Sequence, residues 1–173
     1  MNKMTKLVLS STLVFGSVLG VNAISTNAQH VSHAAITPYY TYHGYAGYNP
    51  SFLLTHEFKN GIKYKNITFN GKKIVPTKGT KTVKLYDQTF SGVTKSGKSA
   101  STVSFDVTGK LTTAQLKNAY GKALKKVGPP KPSKKVKAVY DYRPSLETPR
   151  VLFTVNHNNR VTHVDITYGS IGY

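Results

Sequence analysis

Apolar and polar residues alternate along much of the chain beyond residue 60, and a period of two is typical of half-buried β-strands. The clearest example is the segment 99–107, where Val103, Phe105 and Val107 fall on one face. From this pattern we predict strands at residues 62–69, 72–75, 81–93, 99–107, 136–142, 151–155 and 160–168. Residues 52–58 fit a short helix or a strand equally well.

Turn residues connect several of these strands as hairpins. Asn70-Gly71 is the strongest short hairpin signal, because both residues tolerate the positive φ angles of a two-residue turn. Residues 96–98 (Ser-Gly-Lys) and 156–159 (Asn-His-Asn-Asn) supply the turns before the strands that follow them.

One segment has helical spacing instead. Apolar residues recur at intervals of three and four at Leu116, Ala119, Tyr120, Ala123, Leu124 and Val127. Thr112 and Gln115 have the spacing of a capping box, and Gly128 can end the helix. We therefore predict a helix at 112–127, weakened by about 1 kcal/mol at Gly121. The order of strands, one helix and strands predicts an α+β fold: a single domain with a twisted antiparallel sheet and one amphipathic helix packed across a face.

The N-terminus has the pattern of a secretory signal peptide, with two lysines, an apolar run over residues 7–21 and then small residues. Cleavage after Ala34 is preferred, with Ala23 and Ala28 as alternatives. A permanent anchor is the competing interpretation, but the run is shorter than the roughly 20 residues that a membrane span needs. The predicted organisation is a signal peptide at 1–34, a tyrosine- and glycine-rich arm at 35–50 and the α+β domain at 51–173, with no transmembrane segment in the mature chain.

The chain is strongly basic, with 24 Lys and Arg against six Asp and Glu and a net charge of +18. Without the leader, which holds two of the basic residues, the net charge is +16. The chain has no cysteine, which excludes disulfides, thiol catalysis and cysteine-ligated metals. Because nearly all the charge is lysine, binding to polyanions should be strong at low salt and poorly sequence-specific.

Positive charge is densest after the predicted helix. No acidic residue occurs between Asp106 and Asp141, and a proline-containing basic segment at 128–137 should be extended and solvated. A lysine-rich face is by default simply solvated, but the unbroken run favours an anion-binding surface. The candidate phosphate-binding residues are Lys117, Lys122, Lys125, Lys126, Lys131, Lys134, Lys135 and Lys137.

Tyrosines crowd the start of the mature chain, at Tyr39, Tyr40, Tyr42, Tyr45 and Tyr48. Tyrosine rings stack on nucleobases of any sequence, which makes Tyr39, Tyr40 and Tyr42 candidate nucleic-acid-binding residues. The alternative is an irregular arm whose rings cover the core and the sheet edge. The sequence leaves both interpretations open.

Three segments resemble the immunodominant staphylococcal antigen B (IsaB) family: residues 35–42 (AITPYYTY), 84–93 (KLYDQTFSGV) and 117–126 (KNAYGKALKK), with the hairpin at 151–168 similar in pattern. The resemblance implies a secreted or cell-surface, virulence-associated bacterial antigen that binds extracellular DNA or RNA without sequence preference. It carries over no catalytic motif and no binding residues. Residues 128–132 (Gly-Pro-Pro-Lys-Pro) and the spacing of Tyr45 and Tyr48 look particular to this chain.

Residues for catalysis are not gathered in the sequence. The six carboxylates are widely separated, and there is no phosphate-cradling glycine loop, metalloprotease helix or nucleophile elbow. His163 and Asp165 share one face of a predicted strand and could hold a metal or exchange a proton, but a solvated strand face is the favoured interpretation. We therefore predict a protein that is not an enzyme, with no cofactor and no metal.

Two other functions compete with nucleic-acid binding. The same charge would serve an adhesin or surface-retention module for teichoic acid, anionic lipid or glycosaminoglycan. An immune-interaction protein that binds host components would leave no sequence signature. For any polyanion, protonation of His43, His56, His157 and His163 below about pH 6.5 is expected to add charge and tighten binding.

Overall fold

The computed structural model describes residues 37–129, 131 and 133–169, and strands are the commonest regular structure in them. The predicted signal peptide therefore lies outside the described residues. The strands are β1 (Tyr40–Tyr42), β2 (Ile67–Phe69), β3 (Lys72–Ile74), β4 (Lys81–Leu85), β5 (Gln88–Val93), β6 (Ser99–Ala100), β7 (Thr102–Asp106), β8 (Leu124–Gly128), β9 (Ala138–Tyr142), β10 (Arg150–Val155) and β11 (Val161–Thr167). The α-helices are α1 (His56–Lys63) and α2 (Thr113–Tyr120), and short 3-10 helices span Pro50–Leu54 and Gly121–Ala123.

The main sheet has seven strands in the order β4-β5-β7-β11-β10-β9-β8, and every neighbouring pair is antiparallel. Side chains alternate between its faces, so one face carries the buried residues Phe90, Phe105, Phe153 and Val164. A smaller sheet has the order β1-β2-β3-β6, and its buried side chains join the same core. Strand β6 continues into β7 and links the two sheets. The antiparallel main sheet together with the helices confirms the predicted α+β class.

The predicted hairpins are present. Asn70 and Gly71 have φ angles of 44° and 76° and connect β2 to β3. Residues 156–159 connect β10 to β11 as predicted, with Val164 and Ile166 of β11 fully buried. Where asparagine and glycine mark a turn, the sequence pattern therefore places the chain reversal correctly.

The strand predicted at 81–93 is wrong, because the chain reverses in its middle. Tyr86 has a φ of 57°, and the turn that it forms with Asp87 separates β4 from β5. Neither residue is a glycine or an asparagine, so the sequence contains no strong signal for this turn.

The structure contains a second α-helix in addition to the predicted one. Residues 52–58, which fitted either structure, and the start of the strand predicted at 62–69 fold into the short 3-10 helix and α1. The Thr55 side chain caps α1 by accepting a hydrogen bond from the Phe58 N–H at 3.2 Å. Phe58 and Ile62 are four residues apart, which places both on the buried face of the helix.

Helix α2 begins where it was predicted. The Thr112 hydroxyl accepts from the Gln115 N–H at 3.2 Å, and the Thr112 N–H donates to Gln115 Oε1 at 2.9 Å, which confirms the capping box. The buried Tyr120 ring lies 4.6 Å from the ring of Tyr142 and 5.5 Å from that of Phe153. The helix therefore packs across the apolar face of the main sheet, on β9 and β10.

The second half of the predicted helix at 112–127 is wrong, because α2 ends at Tyr120 and Leu124–Gly128 form strand β8. Gly121 closes the helix with φ 53° and ψ −135°, a conformation that glycine reaches easily and other residues avoid. Beyond it, Leu124 pairs with Tyr142 on the core side of the sheet, so an apolar residue that fitted the helical spacing serves a strand.

The substitution Gly121→Ala separates the two descriptions of this segment by the sign of its effect. In a continuous helix, alanine would raise the free energy of unfolding by about 1 kcal/mol. In the observed conformation we expect a loss of about 1–2 kcal/mol, because alanine must adopt the positive φ. Chemical denaturation measures the difference, and the exposed helical residue Asn118, changed to alanine, is the matched control and should be neutral or slightly stabilising. A more stable Gly121→Ala variant would contradict the observed helix end.

Candidate nucleic-acid interface

Most of the carboxylates are already engaged within the domain. The ion pairs are Asp141 with Arg150, Glu147 with Lys65 at 3.1 Å, Asp106 with His163 at 2.7 Å and Asp165 with His163 at 3.4 Å. Across the described residues, Lys65 is thus the one lysine that a carboxylate neutralises. The other lysines keep an uncompensated charge, which creates a positive potential for external anions.

Among the described residues, strand β8 forms one edge of the main sheet and carries two lysines. Lys125 lies opposite Asp141 and Lys126 opposite Tyr140, so the two lysines project from opposite faces of the sheet. Both are exposed, as is Lys122 just before the strand. Lysines on an edge strand also prevent pairing with strands of other molecules, which is the simplest explanation for their presence.

Beyond β8 the chain forms the loop to β9, and a concave surface opens beside it. This surface, which we call the basic cleft, has a volume of about 320 Å³. Its lining includes Lys126, Pro129, Lys131, Ser133, Lys137 and His157. The cleft lies where the β8–β9 loop meets the turn between β10 and β11, so it combines the basic segment with a part of the chain 20 residues later.

Hydrogen bonds hold the loop against that turn. Ser133 Oγ accepts from the Val136 N–H at 3.1 Å, so the loop turns at Ser133 and is not extended throughout as predicted. His157 Nε2 lies 2.9 Å from the Ser133 carbonyl oxygen, and Lys137 Nζ donates to Asn159 Oδ1 at 2.8 Å. The sequence alone does not place His157 beside the lysines, since only the folded hairpin brings it there.

The predicted lysines fall into three groups. Lys126, Lys131 and Lys137 meet at the basic cleft, and Lys134 and Lys135 are exposed on the same loop. The remaining candidates are exposed on other parts of the surface, with Lys125 on the opposite face of β8, Lys122 before it and Lys117 on α2. The structure therefore brings the lysines of the basic segment together more closely than those of the predicted helix.

Two lysines of the N-terminal half are engaged within the fold. Lys59 Nζ donates to the Ala119 carbonyl oxygen at 2.7 Å and lies 5.6 Å from the centre of the Tyr120 ring. Lys72 Nζ donates to the Gly97 carbonyl oxygen at 2.8 Å. These ammonium groups already stabilise the fold, so they would lose internal contacts on binding a phosphate.

Two of the three candidate stacking tyrosines pack on the core. The ring centres of Tyr40 and Tyr42 in β1 lie 6.1 Å and 4.3 Å from that of Phe52. Burial raises the pKa of both hydroxyl groups above the ordinary tyrosine value. Tyr39, by contrast, has 67% of its surface exposed. The interpretation of the arm as a cover for the core thus fits Tyr40 and Tyr42, and Tyr39 alone of the three presents a free ring.

His163 bridges two carboxylates on the polar face of the sheet. Its hydrogen bond with Asp165, opposed by burial and reinforced by Asp106, raises the pKa of the imidazole to about 9. His163 is therefore already charged at neutral pH and contributes nothing to the predicted gain of charge below pH 6.5. Within the described ranges, no three His, Cys, Asp or Glu side chains converge to hold a metal ion.

The sequence profile described as Immunodominant staphylococcal antigen B matches residues 39–166, which include both sheets and the basic cleft. The chain belongs to the immunodominant staphylococcal antigen B family. Family members from Staphylococcus aureus strains USA300 and NCTC 8325 are each 40% identical to it over 175 residues, which cover 100% of this chain and 98% of the relative. No solved structure matches the chain.

Membership of the immunodominant staphylococcal antigen B family supports a role as a virulence-associated antigen, and an antigen of this kind is exposed outside the cell. None of the helices in residues 37–169, as far as these are described, is long and apolar enough to span a membrane. The resemblance found in the sequence is thus confirmed over nearly the whole domain.

The bridged histidine makes the stability of the domain depend on pH. Because the pKa of His163 is raised from 6.5 to about 9, its stabilising contribution is complete below about pH 6.5 and is lost as the pH rises through 9. We expect the free energy of unfolding to decline between pH 6.5 and 9.5, and His163→Gln to remove most of that decline. Urea denaturation at constant ionic strength measures it. His157→Gln is the matched control, because His157 contacts a backbone carbonyl, and an equal effect of both substitutions would refute the assignment.

Proposed function

We propose that this member of the family is a secreted or cell-surface protein that binds extracellular DNA and RNA without sequence preference. One observation carries the proposal: lysines without carboxylate partners converge on the basic cleft and continue along the β8–β9 loop. Lysine ammonium groups bind phosphates as point charges, and the release of condensed counterions supplies the binding free energy.

The arginines support binding without base recognition. Arginine reads guanine through two parallel hydrogen bonds, which require a free guanidinium group. Arg150 is tied to Asp141, and Arg143 Nη2 donates to the Leu146 carbonyl oxygen. Two of the three arginines are thus engaged within the domain, so lysine contacts to the phosphate backbone carry the interaction.

We infer a binding protein and not an enzyme. The cluster of Asp106, His163 and Asp165 is the arrangement closest to an acid–base site, and its imidazole is held charged between two carboxylates. A general base must be unprotonated at working pH to accept a proton, which this histidine is not. Its geometry suits cross-strand stabilisation between β7 and β11.

A second candidate is retention on other polyanions, such as teichoic acid, anionic lipid or glycosaminoglycan. The observation that favours it is the composition of the basic cleft, whose ammonium groups attract phosphate and sulfate alike. Selective binding of nucleic acid over heparin near physiological salt would support the first proposal. Equal binding that disappears together with rising salt would support the second.

The contribution of the cleft is measurable from the salt dependence of duplex binding. With about five phosphates neutralised, the slope of log K against log salt should be about −4.5, a loss of about 500-fold between 50 and 200 mM. We expect the triple variant Lys126→Gln, Lys131→Gln, Lys137→Gln to have a slope near −2. The matched control Lys78→Gln, Lys81→Gln, Lys95→Gln removes the same charge from exposed positions elsewhere and should stay near −4.5.

Equal slopes for these two variants would show that binding depends on net charge alone. That result would contradict the assignment of the interface to the basic cleft.

A further inference from the structure

Three tyrosines are exposed around the turn between β4 and β5, away from the basic cleft. Tyr45, Tyr48 and Tyr86 have 64%, 80% and 55% of their surfaces exposed, and we call them the tyrosine cluster. The rings of Tyr45 and Tyr86 meet edge to face with their centres 5.1 Å apart. Tyr86 lies in the turn between β4 and β5, while Tyr45 and Tyr48 lie in the loop that follows β1.

A polar network fixes the position of this loop. The Ala46 and Gly47 N–H groups donate to the two carboxylate oxygens of Asp87 at 2.9 and 2.7 Å, and the Gln88 amide donates to the Gly44 carbonyl oxygen at 2.7 Å. Burial alone would raise the pKa of Asp87, but hydrogen bonds donated to its carboxylate by the Gly47 N–H, the Gln88 amide and the Ala46 N–H outweigh burial and hold the pKa below its usual range. The rings therefore stand on a backbone that is already ordered.

Close packing under the loop shows the same constraint. A Cβ atom on Gly47 would lie 2.0 Å from the Asp106 carbonyl oxygen, so only glycine fits there. The Gly47 carbonyl oxygen in turn accepts from the N–H groups of Thr108 and Gly109 at 3.0 and 2.9 Å. The loop is thus part of the domain, although its tyrosine rings add little to the core.

An exposed aromatic ring is common singly, but several rings on an ordered loop suit the binding of flat ligands. A ring held in place loses little conformational entropy when a base stacks on it. Stacking of a base on a tyrosine ring tightens binding by about 5- to 150-fold per base and does not depend on sequence.

Nearby charge favours a polyanion as the ligand. Lys84 lies two residues before Tyr86, and Lys110 follows Gly109, which contacts the loop backbone. Both lysines are exposed. Aromatic rings beside ammonium groups match a nucleic-acid strand, which offers a base and a phosphate in each nucleotide, better than they match an uncharged glycan.

We propose that the tyrosine cluster is a stacking site for the unpaired bases of single-stranded nucleic acid. The proposal rests on the proposed function and adds a second subsite to it. Strands β4 and β8 are at opposite edges of the main sheet, six strand spacings or about 29 Å apart. Duplexes, whose bases are inaccessible, would use the basic cleft, while single strands would also gain affinity at the tyrosine cluster.

The test compares oligothymidylate with an abasic oligonucleotide of the same length, which has the same phosphates and no bases. We expect the wild-type protein to bind oligothymidylate at least 10-fold more tightly at equal salt. The triple variant Tyr45→Ala, Tyr48→Ala, Tyr86→Ala should lose this preference, and the corresponding triple phenylalanine variant should keep it because phenylalanine retains the ring. Duplex binding should be unchanged in both variants, and circular dichroism spectra that match the wild-type spectrum would show that they are folded.

A second variant and a direct signal keep the test decisive. If the triple alanine variant does not fold, Tyr48→Ala alone should lower the preference several-fold, since its ring is the most exposed of the three. The chain has no tryptophan, so its fluorescence reports tyrosines, and oligothymidylate should quench it more than the abasic chain does.

Equal affinity of the wild-type protein for the two oligonucleotides would overturn the stacking site, while duplex binding would leave the proposed function intact. Failure to bind any nucleic acid would overturn both. Displacement of oligothymidylate by a neutral oligosaccharide would overturn the assignment to bases and make the tyrosine cluster a glycan site.

Discussion

The domain depends on hydrogen bonds and ion pairs made by a small number of carboxylates, because the chain has four times as many basic residues as acidic ones. Three carboxylate interactions each connect parts of the chain that are distant in sequence or lie on different strands. Asp87 fixes the loop after β1, Asp141 pairs with Arg150 between β9 and β10, and His163 connects β7 to β11. With these carboxylates engaged, the described lysines other than Lys65 have no carboxylate partner, and their mutual repulsion opposes the compact state. Under the proposed function, a bound polyanion would relieve that repulsion and so couple folding to binding.

The arrangement of the main sheet determines where the lysines without carboxylate partners lie. Its apolar face is covered by α2 and the smaller sheet, and the lysines are left to the edges and the connecting loops. At the β8 edge, the loop to β9 folds back on the β10–β11 turn and forms the basic cleft. At the β4 edge, the turn at Tyr86 and the loop after β1 present aromatic rings. The fold thus places the basic cleft and the tyrosine cluster at opposite edges of the main sheet.

The sequence pattern predicted the elements whose local signals agree with their tertiary environment. Strand β7 and the Asn70-Gly71 hairpin are examples, as is the capping box of α2. The predicted helix failed beyond Tyr120 because apolar residues such as Leu124 fit both helical and strand spacing, and the conformation of Gly121 is decided only in the fold. The tyrosines show a related limit. The pattern of apolar and polar residues in β1 does not show that Phe52 covers Tyr40 and Tyr42. Nor does the sequence show that His157, which lies in another hairpin, approaches the lysines of the basic cleft.

The central claim is that polyanions bind at the unpaired lysines of the basic cleft and its loop. Lysine reactivity towards an acylating reagent, mapped by mass spectrometry with and without duplex DNA, tests it most directly. We expect strong protection of Lys126, Lys131, Lys134, Lys135 and Lys137, and little change at Lys78, Lys81 and Lys95. Uniform protection of all lysines, or protection confined to the second group, would contradict it.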